Sequence, residues 1–120
     1  MSIDPGVLKR LLNLRIIIEG NNSWAFRELV DYVLEILEER LPLLLNEAVE
    51  PYGLEASVLN KKGCDVFPGV KHCEDIMVVG VYEKESDEPF VYAGYMVSRG
   101  ENLFELRLVK IIDALTGEQI

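Results

Sequence analysis

Phe26, Leu29, Val30, Val33, Leu37, Leu41, Leu44 and Ala48 recur at three-and-four spacing, the period of one face of an α-helix. No other feature constrains the fold so much, because a helix that long with so wide an apolar stripe needs a large surface to cover it. Asn22 or Ser23 can accept from the free amides of the first turn. Glu28, Asp31, Glu35, Glu38 and Glu39 fill much of the remainder. Leu34 and Ile36 widen the stripe, so the spacing predicts cover on more than one side. Pro42 lacks an amide hydrogen and clashes with the carbonyl four residues back, which predicts a kink or restart near Leu41. The helix is expected to end by residues 51 to 53.

The period changes on either side of this helix. Asp4 and Pro5 form a helix opening, with Val7, Leu8, Leu11 and Leu12 as its apolar face. Residues 14 to 20, LRIIIEG, carry three β-branched isoleucines in a row and read as a strand. Beyond Gly53, residues 54–59, 76–84, 89–97 and 103–113 are rich in valine, isoleucine and aromatics and read as four strands. Residues 85–88 and 98–102 are connections of hairpin length, so the last three strands form an antiparallel meander. Alternation fails from Val109 to Ile112, which points to a bulge. Gly80 and Gly94 lie inside strands, where sheet curvature accounts for them.

The expected fold is α+β, a long central helix wrapped by a curved antiparallel sheet, with a short N-terminal helix. A cystatin-like helix on an antiparallel sheet is the alternative. At 120 residues without repeat or linker, the chain is read as one domain, 1–120. Its net charge of −9 repels phosphate backbones, and its scattered basic residues form no stripe, so nucleic acid is not an expected partner. Apolar runs are too short to span a bilayer, and residues 1 to 15 lack a secretory leader, so no membrane and a cytoplasmic home are expected.

Cys64, His72 and Cys73 are zinc-type ligands by chemistry, but a nine-residue gap followed by adjacent ligands matches no zinc spacing. No metal and no cofactor are therefore expected. A disulfide would close a small loop, yet a reducing compartment favours ordinary thiols.

The order of elements, with the stretches NNSWAF (21–26), FPGVKHCEDIMV (67–78) and LVKIIDALTGEQI (108–120), resembles the hotdog fold, and specifically its 4-hydroxybenzoyl-CoA thioesterase-like branch. That resemblance implies a homodimer, or a higher homo-oligomer, hydrolysing acyl-CoA or another acyl thioester to a free acid. Where members of the branch carry an aspartate loop before the helix, only EGNN stands here. Other branches place a carboxylate within the helix, and Glu28 and Asp31 are the candidates for base or nucleophile. Asn21, Asn22, Ser23 and Trp24 would present the helix start to the thioester oxygen. Tyr92 or Tyr95 would line an acyl tunnel, and Arg99, with Lys61, Lys62 and Lys71, would meet coenzyme A phosphates. Against this stands the plainer account in which Ser23 or Asn22 only caps the helix and the acids are solvated. The competing function is a non-catalytic interaction module whose acidic surface recognises a basic protein partner.

Overall fold

A computed structural model describes residues 3–21 and 23–120. Helix α1 (Pro5–Leu12) opens as its sequence requires, with Asp4 accepting from the Gly6 amide and Leu8 and Leu12 buried. Strand β1 (Arg15–Glu19) follows, then the long helix α2 (Trp24–Val49). The chain continues through β2 (Leu54–Val58), a single helical turn α3 (Gly63–Val66), β3 (Ile76–Glu83), β4 (Val91–Arg99) and β5 (Leu103–Asp113). The five strands form one curled antiparallel sheet in the order β1-β5-β4-β3-β2, and α2 packs against it. The first strand thus docks beside the last, and β1 and β2 become the two edges.

Strand β5 is longer than its partners can match residue for residue. Gly94 pairs with Lys110 while Tyr95 pairs with Leu108, leaving Val109 as an extra residue in the ladder. This bulge falls where alternation fails in the sequence. Past it, Asp113 Oδ1 accepts from the amides of Leu115 and Thr116, and Gly117 turns the chain at φ 73°.

The concave face of the sheet carries the main core. Leu8 and Leu12 from α1, and Phe26, Val30, Leu37, Leu41, Leu45 and Val49 from α2, pack on inward residues of the strands. Tyr95 is fully buried there, and its hydroxyl donates to the Leu12 carbonyl at 2.5 Å, tying α1 to the middle of β4. Burial holds the Tyr95 phenol well above its ordinary value.

Two expectations for α2 are corrected, and of the kink or restart foreseen near Leu41 the restart is excluded. The helix runs without restart across Pro42, whose missing amide removes one donor from an otherwise continuous ladder. From Leu37 onward the buried series is Leu37, Leu41, Leu45 and Val49 at a strict spacing of four, so Leu44 turns outward and Leu45 replaces it. A spacing of four drifts around the helix surface relative to its 3.6-residue turn, letting the buried stripe follow the twist of the sheet. Finally, the described residues do not wrap α2 on every side, and Leu29, Tyr32, Leu43 and Leu44 remain exposed among them.

The convex face has a cover that the strand pattern did not reveal. Residues between β2 and β3 fold back over it, placing Phe67 and Val66 against Ile76, Val78, Met96 and Ile112. Gly94 is required by this contact rather than by curvature, since a Cβ there would stand 2.8 Å from the Phe67 ring. Cys64 and Cys73 are joined in a disulfide across this segment, a correction to the expectation of free thiols. Among the described residues, no helix is long and apolar enough to cross a membrane.

One side chain bridges the two layers at the β2 edge. Asn46 of α2 accepts from the Ala56 amide at 2.8 Å and donates to the Ala56 carbonyl at 2.9 Å, and also donates to the Pro42 carbonyl at 2.8 Å. Its carboxamide supplies the donor and acceptor that a neighbouring strand would offer, so β2 is closed at this point.

Candidate functional site

The start of α2 is built by short-range contacts. Ser23 is the N-cap, in extended conformation, and its Oγ accepts from the Phe26 amide at 3.1 Å. Gly20 is needed just before it, because a Cβ at that position would fall 2.4 Å from the Phe26 ring. The Gly20 amide donates to the Asn102 carbonyl at 3.0 Å, which anchors the helix start to the β4–β5 turn. The Asn21 carbonyl accepts from the Ser23 amide at 2.7 Å, and Asn22 lies outside the described residues. Trp24 projects outward, 69% exposed.

Glu28 and Asp31 are both exposed, one and two turns along the helix. Asp31 Oδ1 is held by Arg99 Nη2 from the end of β4. Both side chains face solvent, and such a pair contributes about 0.2 to 1 kcal/mol. Arg99 therefore meets a carboxylate of its own chain. The charge it would offer an incoming phosphate is largely compensated.

Tyr92 lies elsewhere. It packs with the convex cluster, whereas Val91, Ala93 and Tyr95 belong to the concave core. Tyr92 and Arg99 are seven residues apart on one strand, so they end up on opposite faces and about 23 Å apart along it. Lys61 Nζ sits 5.8 Å from the centre of the Tyr92 ring, and Lys62, Asp65 and Asp113 line the same shallow groove. The structure thus keeps Asn21, Ser23 and Trp24 at the helix start, sets Glu28 one turn and the Asp31–Arg99 pair two turns along, and leaves Tyr92, Lys61 and Lys62 on the other side of the sheet. Tyr95, the other tunnel candidate, is consumed by the core.

The cysteine cluster also assembles in space. Ligand atoms of Cys64, Cys73 and Glu74 lie within 4.8 Å of one another, but the two sulfurs are bonded together. His72 Nδ1 stands 3.8 Å from Glu74 Oε1, both side chains well exposed.

A further surface was not recognised as functional from sequence. On the side of α2 away from the sheet, Leu29, Tyr32, Ile36 and Leu43 follow a helical repeat, and Leu29, Tyr32 and Leu43 are 47%, 59% and 58% exposed. Exposed Glu28, Glu35, Glu39 and Glu47 border this row, with Arg40 as a single cation beside Ile36 and Leu43. Its signal was the width of the apolar stripe, legible in Leu29, Leu34 and Ile36 but assigned to cover by the chain's own sheet. No protein-family model, curated protein or solved structure matches the chain.

Proposed function

We propose that this chain is a protein-binding module that takes a basic amphipathic helix along the outward side of α2. One observation carries the reading: an apolar row on α2 remains uncovered by the chain and is fringed with carboxylates. The row from Leu29 to Leu43 extends about 21 Å at 1.5 Å per residue, the length of four turns of a partner helix. Leu29, Tyr32 and Leu43 are already half covered, so burying the remainder of each is worth about 0.8 to 1.5 kcal/mol. Within α2 six carboxylates face two arginines, so lysines or arginines flanking the partner's apolar stripe find complementary charge.

The test uses a synthetic leucine-lysine amphipathic helix and its sequence-scrambled control, with calorimetry as the readout. Binding of the helix but not the control is expected, weakened by salt and lost in Tyr32→Glu/Leu43→Glu. Equal binding of both peptides, or binding indifferent to those substitutions, rejects the reading.

The acyl-thioester hydrolase reading draws on the capped start of α2, with Glu28 and Asp31 on the same helix. Open solvent around Glu28 and the Arg99 partner of Asp31 favour it less, since a general base works best in a site that tunes its proton affinity. Thiol release from a panel of acyl-CoAs, abolished by Glu28→Gln or Asp31→Asn in a folded protein, would put the hydrolase first.

A further inference from the structure

The two edges of the sheet are finished differently. The β2 edge is closed at Ala56 by Asn46, whereas β1 pairs with β5 on one side and with no other strand among the described residues. The hydrogen-bond parity of β1 is fixed by its flanks. The Leu14 carbonyl accepts from Leu108 at 3.3 Å, and the Gly20 amide donates to Asn102 at 3.0 Å. These belong to the same register as Ile16 with Leu106 and Ile18 with Phe104. Even-numbered residues therefore turn their backbone groups toward β5, and Arg15, Ile17 and Glu19 turn theirs outward.

The side chains of that outward set read Arg, Ile, Glu, with a cation at one end, an anion at the other and isoleucine between. Arg15 Nε donates to Glu105 Oε2 of its own chain at 2.7 Å, but Arg107 shares the same carboxylate, so the trio keeps one cation in excess for Glu19 of a copy. An antiparallel copy turned about Ile17 sets Arg15 against Glu19 of the copy at both ends, and Ile17 against itself. Registers shifted by two residues oppose charge to isoleucine, and shifts of one send the side chains to the wrong face. The segment is also electrically neutral within a chain of net charge −9, so two acidic copies meet there with least repulsion. Ile17 is 43% exposed, and Ile16 and Ile18 are half-buried at the rim of the concave core.

We infer that two copies of this chain join through β1 about a two-fold axis at Ile17, merging two five-stranded sheets into one. Each of Arg15, Ile17 and Glu19 exchanges an amide and a carbonyl with the copy. The surface is distinct from the outward row of α2, so this pairing stands or fails independently of the proposed function.

Sedimentation of the purified chain across micromolar concentrations tests it, with circular dichroism as the check on folding. The parent chain is expected to be a dimer. Ile17→Pro removes an amide that bonds nothing within its own subunit and should yield a folded monomer. Glu19→Lys, which opposes Lys to Arg15 of the copy, should weaken the dimer about tenfold or more. Mixing Glu19→Lys with Arg15→Glu should give a heterodimer tighter than the self-association of either variant. A monomeric parent, or a dimer that Ile17→Pro and Glu19→Lys leave intact, overturns the inference.

Discussion

The two faces of the sheet are covered by different means. On the concave side, α1 and α2 each bring a regular apolar stripe, and eighteen buried residues form one continuous cluster. On the convex side, an irregular segment brings Phe67 and Val66 over a much smaller cluster, and one disulfide ties its ends. Helices hold themselves in register through their own hydrogen bonds, while a segment without a repeat must be pinned. The convex cover is accordingly the part of this fold whose order depends on covalent chemistry.

The sharpest way to break this contrast is Phe67→Ala, which removes the largest buried side chain of the convex cluster. A loss of about 3 to 5 kcal/mol is expected in chemical denaturation, because Gly94 beneath it has no side chain with which to fill the void. Next is Cys64→Ser, or reduction by a dithiol. The bridge joins residues nine apart, and opening so short a loop should cost about 2 to 3 kcal/mol. Hydrogen exchange should then rise in residues 59 to 75 while α2 keeps its protection. Equal acceleration in both would show that the two faces are one cooperative unit.

The smallest expected effect belongs to the concave side. Tyr95→Phe removes one of two donors to the Leu12 carbonyl, which keeps the Leu14 amide at 2.9 Å, and should cost about 0.5 to 1.5 kcal/mol. It should also change the response to alkali. Burial raises the phenol above its ordinary value of 10.0, so the folded state keeps this proton longer than the unfolded chain does. The associated stability is complete below about pH 10 and declines as pH rises past that point. Tyr95→Phe should flatten the decline, measurable as the midpoint of urea unfolding between neutral and alkaline buffer.

Period was the legible part of the sequence. The β-branched run at Ile16–Ile18, the alternation in β5 and its failure at Val109 all translate directly into strands and a bulge, because side-chain parity in a sheet is a local property. Residues 59 to 75 carry no period. A four-residue helical turn is too short to have one, and the proximity of Cys64 to Cys73 belongs to a tertiary arrangement in which Phe67 packs over Gly94. The gathering of candidate side chains was half legible. Ser23 announces itself as a cap through residue type, and simple parity on β4 separates Tyr92 from Arg99 without coordinates. That Arg99 would find Asp31, or that Asn46 would reach Ala56, depends on where a helix crosses a sheet, and local sequence does not encode that crossing.

Asn46 bears on assembly as well as on stability. Its carboxamide occupies, at Ala56, the position a sixth strand would need, so lengthening of the sheet from that margin is blocked. A ribbon with both margins bare can string end to end into filaments, whereas one with a single bare margin can take a twin and then has nowhere left to grow.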